Sequence, residues 1–90
     1  MAKKIAVVVR DRQGEALRMA IGLTLKDDTV NVYVLNRKLA VTEKVAFDLE
    51  TLRDLEVKLY SNVADETEAE FVATEDIARR LPSYDHVLAY

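Results

Sequence analysis

The stretch Ile5-Ala6-Val7-Val8-Val9 is followed at once by Arg10-Asp11-Arg12-Gln13-Gly14. A run of consecutive apolar residues, mostly β-branched, is typical of a strand that is covered on both faces. The polar residues after it lead directly into a helical pattern, so this part of the chain predicts a strand, a short loop and a helix. In an open α/β sheet, the loop that leaves the carboxyl end of such a strand is where ligands usually bind.

The composition restricts the class of protein. The chain has 90 residues, 50% of them hydrophobic and 32% charged, which is ordinary for one soluble domain, here residues 1–90. Its formal net charge is −3 and its basic residues are scattered, so we expect no binding to nucleic acid or to anionic membranes. The apolar run 5–9 is too short for a signal peptide or a membrane span, and we therefore expect a cytoplasmic protein.

The residue types that support catalysis are scarce. There is no cysteine, which excludes disulfides, thiolate metal sites, persulfide carriage and cysteine nucleophiles. His86, the single histidine, is predicted at the start of the last strand, at the opposite sheet edge from residues 10–14. Ser61 and Ser83 do not occupy a nucleophile-elbow sequence. We therefore predict no enzymatic activity, and we expect no cofactor and no bound metal.

Four acidic residues fall in the long connection that follows the predicted third strand. These are Asp65, Glu66, Glu68 and Glu70. Carboxylates suit a hard cation such as calcium, but this segment lacks the glycine turn and the alternating oxygen ligands of a dedicated loop. We interpret the segment as a solvated acidic surface.

Two helical patterns present apolar residues beyond those that one sheet contact needs. In the first helix, Ala16, Met19 and Leu23 form a second apolar row next to the buried face, and this row is a candidate subunit contact. The second helix is predicted to begin after an N-cap at Thr42 and to bury Val45, Ala46, Leu49 and Leu52. Phe47 lies off that stripe, and it is either an isolated surface residue or an interface anchor.

The order of elements predicts the fold. Strands at 5–9, 30–35, 55–60 and 85–90 alternate with three helices, which predicts β-α-β-α-β-α-β and a parallel sheet with helices on both faces. We expect a small three-layer, doubly wound α/β sheet of about four strands in the flavodoxin-like order 2-1-3-4. The milder alternation of the second strand predicts an edge position. A ferredoxin-like α+β fold is the competing prediction, but it needs two consecutive strands without a helix between them.

The predicted fold places two polar loops at the ligand edge of the sheet. Arg10, Asp11, Arg12, Gln13 and Gly14 follow the first strand, whereas Ser61 and Asn62 follow the third. Arginines and the free N–H groups at the start of a helix attract anions, although Asp11 weakens that field. The loops together are a candidate site for a small ligand, a nucleotide or another anion.

Several stretches also resemble a known family. They are the first strand with its loop, the helix Glu15-Ala16-Leu17-Arg18-Met19-Ala20-Ile21-Gly22-Leu23, the valine-rich second strand, and the ending Ala78-Arg79-Arg80-Leu81-Pro82-Ser83-Tyr84-Asp85-His86-Val87-Leu88-Ala89-Tyr90. In their order and hydrophobic positions they resemble the DsrE/DsrF/DsrH-like (sulfur-relay) family over most of the chain. The resemblance implies a small doubly wound α/β domain that forms homo- or hetero-oligomers, some of which pass sulfur as a cysteine persulfide.

The chain departs from this family at the point that carries the chemistry. In sulfur-carrying members a reactive cysteine lies in a loop at the carboxyl edge of the sheet, for example after the third strand. This chain has Tyr60-Ser61-Asn62-Val63 there, and a serine hydroxyl cannot form a persulfide. The resemblance therefore implies a non-catalytic, oligomerising structural or regulatory subunit, whose partners are itself or cysteine-bearing sulfur-relay relatives. The alternative hypothesis is the small-ligand or anion-binding module at residues 10–14.

Overall fold

The computed structural model describes residues 3–24 and 29–90, and it places the run 5–9 inside a parallel sheet. In chain order the elements are β1 (Lys4–Val9), α1 (Gln13–Thr24), β2 (Thr29–Val34), α2 (Glu43–Asp54), β3 (Lys58–Ser61), β4 (Glu70–Phe71), α3 (Thr74–Arg80), a 3-10 turn (Leu81–Ser83) and β5 (His86–Ala89). The sequence also predicts a short polar turn at Lys26-Asp27-Asp28-Thr29, of which residues 26–28 lie outside the described residues and Thr29 is the first residue of β2. Within the described ranges, no helix combines the length and the apolar character that crossing a membrane requires.

The α/β class and the doubly wound arrangement are confirmed. In the described part of the chain all strand pairs are parallel, and the sheet has five strands in the order β4-β3-β2-β1-β5. The predicted order 2-1-3-4 is wrong, because β2 lies between β1 and β3. The chain moves in one direction from β1 to β4 and then returns to the free edge of β1, so the strand order reverses once, between β1 and β5.

The position of β2 has a clear physical reason. Asn31 and Tyr33 give the strand an alternating, edge-like sequence, yet Tyr33 is 1% exposed. Its hydroxyl shares a hydrogen bond of 2.7 Å with the hydroxyl of Tyr84, which also accepts one of 2.8 Å from the Asn31 amide. The polar groups of this strand are therefore satisfied inside the protein, and β2 can occupy an inner position with both faces covered.

Helices cover the sheet on both faces. Leu17 of α1 and Leu49 of α2 pack with the β1 residues Ile5, Val7 and Val9 in the larger core cluster. On the other face, the smaller cluster joins residues of β1 and β2 to α3 and the segment after it; its buried members are Ala6, Tyr33, Val72, Ile77 and Tyr84. Alternate residues of the run 5–9 thus face different helical layers, which explains why this run contains no polar residue.

The strand limits differ from the prediction in the second half of the chain. Leu55 is the C-cap of α2 and Glu56 has a φ of 62°, so the chain turns there and β3 begins only at Lys58. The predicted loop over residues 61–73 contains the short strand β4, which pairs with β3 through Tyr60 and Ser61. The sheet consequently has five strands where about four were expected.

Candidate functional site

The loops after β1 and β2 enclose a polar depression at the carboxyl edge of the sheet. It has a volume of about 380 Å³ and is lined by Arg10, Asp11, Leu35, Asn36 and Arg37. Asp11 Oδ1 lies 3.2 Å from Arg37 Nη1, and both side chains are exposed. Solvent-exposed ion pairs of this kind contribute little to stability. Because the Arg37–Asp11 pair is weak, an anion in the depression can contact Arg37 as well as Arg10. The negative charge of Asp11 disfavours such an anion.

Ser61 and Asn62 do not join this depression. Ser61 is fully buried, and its Oγ accepts a hydrogen bond of 3.0 Å from the N–H of Val63, so it has no surface for a ligand. The Asn62 amide bonds the Asn36 backbone N–H at 2.8 Å and the Asn36 side-chain oxygen at 3.0 Å. It also donates to Thr74 Oγ1 at 3.1 Å. Asn62 therefore joins the loop after β3 to the loop after β2 and to α3, whereas Ser61 is bonded within its own segment. Neither residue is next to the loop after β1, because β2 lies between β1 and β3.

The predicted loop 10–14 is itself divided. Gln13 Nε2 donates to the carbonyl of Lys38 at 3.1 Å, and Gln13 Oε1 accepts from the N–H of Ala40 at 2.9 Å. Gln13 thus joins the start of α1 to the loop between β2 and α2, and its amide is not free to bind a ligand. Arg12 and Gly14 lie in a different depression of about 490 Å³, whose remaining lining consists of Asp11, Gln13, Glu15, Arg18 and Lys44.

The reversal of strand order, where α/β proteins usually bind ligands, lies between β1 and β5. The N–H groups of Arg10 and Asp11 donate to the carbonyl of Tyr90 at 2.7 Å and 3.3 Å. Backbone therefore occupies the crevice itself. His86 pairs with Ile5 at the amino ends of these strands, away from the loop, as the sequence predicts.

The acidic segment is only partly the solvated surface that the sequence predicts, because Glu66 is buried and hydrogen-bonded. Glu66 is 7% exposed, and its carboxylate accepts hydrogen bonds from the N–H groups of Leu39 at 2.6 Å and Glu68 at 3.0 Å. Asp65 lies 3.7 Å from Lys38 Nζ, and Glu68 pairs with Arg53. Among the described residues, no cluster of three or more acidic or histidine side chains could hold a metal ion.

The four predicted interface residues fall into two groups. Ala16 is fully buried in the core, and Leu23 is partly buried against it, so the structure commits both to packing within the chain. Met19 is 39% exposed and Phe47 69% exposed. Phe47 lies beside a shallow depression of about 310 Å³ between α1 and α2, which we call the α1–α2 surface; its lining is Arg18, Ile21, Gly22, Phe47, Asp48 and Thr51.

Asp48 is a polar residue of this surface that the sequence prediction missed. It is 7% exposed, and its Oδ2 accepts no hydrogen bond from any residue that the structure describes. The sequence predicts that Ala46 faces the core. In the structure Ala46 is exposed, and Asp48 faces inward instead. The signal was present, because Val45, Asp48, Leu49 and Leu52 have the i, i+3, i+4, i+7 spacing of one buried helical face.

Comparison with protein-family models, curated proteins and solved structures found no match to this chain. The resemblance to the DsrE/DsrF/DsrH-like family therefore stays a prediction from the sequence. The candidate sites are defined by their own geometry: a polar depression at the carboxyl edge and the α1–α2 surface.

Proposed function

We propose that this protein is a non-catalytic assembly subunit, which binds copies of itself or related chains through the α1–α2 surface. The observation that carries the proposal is the exposure of Phe47, a large aromatic side chain in the middle of a helix with 69% of its surface in solvent. Aromatic side chains are enriched in the buried centres of protein interfaces and depleted from free surfaces. An exposed phenylalanine beside a depression is thus better explained by a partner than by solvent.

The proposed link to sulfur metabolism rests on the family resemblance. The doubly wound α/β fold is compatible with it. This chain has no thiol, so a cysteine-bearing sulfur-relay relative would supply the persulfide in a mixed assembly, and this protein would act as a structural or regulatory subunit. Ser61, which stands in the neighbourhood of the family's cysteine, is buried and hydrogen-bonded, which supports a structural role for that position here.

A matched pair of variants tests the assembly role. Phe47→Glu places a charge on the α1–α2 surface, whereas Phe71→Glu places one on β4, where Phe71 is 53% exposed. We expect light scattering to show that Phe47→Glu lowers the native mass and that Phe71→Glu leaves it unchanged, both with wild-type helix content. Equal masses for the wild type and the Phe47→Glu variant would overturn self-assembly through this surface.

The carboxyl-edge depression favours a second candidate, an anion-binding module. Arg10 and Arg37 line the same depression of about 380 Å³. A ligand that binds only the folded state raises the midpoint of thermal unfolding. We expect millimolar inorganic phosphate or a nucleoside phosphate to stabilise the wild type but not the Arg37→Gln variant. The absence of stabilisation by any of these anions would remove this candidate.

A further inference from the structure

Asp48 is the strongest indication of what covers the α1–α2 surface. A buried carboxylate oxygen without a hydrogen bond is unfavourable, because it has lost its water and gained no partner. Asp48 lines the depression, and the two oxygens of a carboxylate share its negative charge, so a cation that reaches the carboxylate from the depression compensates the buried charge. The surface therefore lacks one positively charged or hydrogen-bond-donating group at this point.

The same surface carries the guanidinium group of Arg18, which has no ion pair among the described residues. Arg18 lines the depression from α1, is exposed, and makes no ion pair with any residue that the structure describes. A single surface thus offers one unpaired guanidinium group and one unpaired carboxylate. Guanidinium and carboxylate groups form strong, geometrically specific pairs. Two copies of such a surface complement each other, as a two-fold interface requires.

Gly22 adds a steric feature to the same place. It lies within α1, where glycine is destabilising relative to alanine. A Cβ at this position would meet no atom within 4 Å, so packing within the chain does not require the glycine. What the missing side chain provides is access to the helix backbone from outside, beside the exposed ring of Phe47.

We infer that the α1–α2 surface binds a second copy of this chain about a two-fold axis, with Arg18 of each copy paired to Asp48 of the other. In the same contact, Phe47 of each copy covers Gly22 of the other. This inference rests on the proposed assembly function. It adds the identity of the partner and the register, by which we mean the residue pairs that meet across the contact. It requires that the two charged residues meet between chains and not within one.

Charge reversal in separate chains tests the register. Arg18→Asp places two acidic residues on the surface and Asp48→Lys places two basic ones, so each variant repels its own copies. A mixture of the two variants has two complementary pairs in every mixed dimer. We expect each variant alone to dissociate at least about tenfold more readily than the wild type, and the mixture to regain dimers. No mixed dimer, from two variants that are folded, would overturn the register.

A second measurement avoids placing a lysine at the buried position 48, where its charge can prevent the chain from folding. The chain has no cysteine, so single cysteines report on contacts between chains without background. We expect Arg18→Cys and Asp48→Cys, mixed under mild oxidation, to form a disulfide-linked heterodimer. Ala78→Cys on α3, an exposed position, is the control and should not cross-link with Arg18→Cys.

The outcomes separate the inference from the proposed function. A wild type that is monomeric at all concentrations overturns the inference and the binding of copies of itself, and leaves the proposed function only the binding of related chains. A wild type that assembles, is disrupted by Phe47→Glu and yet gives neither charge rescue nor the mixed disulfide overturns only the two-fold register. An intrachain pair between Arg18 and Asp48 would also give that result, because mixing two chains cannot restore a contact within one.

Discussion

Individual polar residues hold the loops of the carboxyl edge in place. Glu66 joins the segment after β3 to the loop before α2, because its carboxylate accepts backbone N–H groups from both Leu39 and Glu68. Gln13 joins the loop after β1 to that same loop before α2. Gln13, predicted as a ligand residue, and Glu66, predicted as part of a solvated surface, are thereby committed to the fold.

The buried carboxylate of Glu66 gives the first prediction. Glu66→Gln keeps the size of the side chain but replaces one accepting oxygen by an amide donor that faces a backbone N–H. We expect the free energy of unfolding to fall by about 1–3 kcal/mol, measured by urea denaturation. Asp65→Asn, at an exposed ion pair, is the control, with an expected change of about 0.5 kcal/mol or less. Equal effects of the two substitutions would contradict the role given to Glu66.

Tyr33 gives a prediction about pH. Burial raises the pKa of its hydroxyl above the ordinary value, and the hydrogen bond with Tyr84 raises it further. The folded protein therefore holds this proton more tightly than the unfolded chain, whose tyrosines ionise near pH 10. The contribution is fully present below that pH and is lost as the pH rises toward the folded-state pKa.

We accordingly expect the free energy of unfolding to decrease between about pH 9 and pH 11, and to decrease less in Tyr33→Phe. Urea denaturation at a series of pH values measures both. The two proteins have every other titratable group in common, so the difference between the two curves isolates Tyr33. Parallel curves would show that Tyr33 does not contribute.

At the scale of elements, the two helices α1 and α2 combine a predictable core with a surface of which the sequence indicated only Phe47. The N-cap at Thr42 is confirmed, since its Oγ1 accepts a hydrogen bond of 3.2 Å from the N–H of Val45. The buried stripe of α2 was predicted except at one position, where Asp48 replaces Ala46. Sequence patterns assign buried positions by hydrophobicity, so they miss a buried acid.

Gly22 gives a prediction at this scale, because monomer stability and assembly should change in opposite directions. Gly22→Ala adds a Cβ that meets no atom within 4 Å, and alanine favours a helix by up to about 1 kcal/mol over glycine. We expect a rise in the free energy of unfolding at high dilution and weaker association at high concentration. Circular dichroism and sedimentation measure the two quantities. Association at wild-type strength would contradict the close approach over Gly22.

At the scale of the whole molecule, the alternation of strands and helices was sufficient to predict the α/β class, but not the strand order. The order depends on which residues β2 can bury, and that depends on Tyr84, which lies 51 residues beyond Tyr33. A local pattern contains no information about such a distant hydrogen-bond partner. The same error placed Ser61 and Asn62 next to the loop after β1, so the predicted ligand site was only partly assembled.

The most direct test of the assembly function is the mass of the unmodified protein as its concentration changes. Sedimentation equilibrium measures that mass without a tag, a variant or an added partner. We predict a multiple of the 10.2 kDa chain mass at high concentration, which falls toward 10.2 kDa on dilution. A mass of 10.2 kDa at every concentration would contradict self-assembly through the α1–α2 surface.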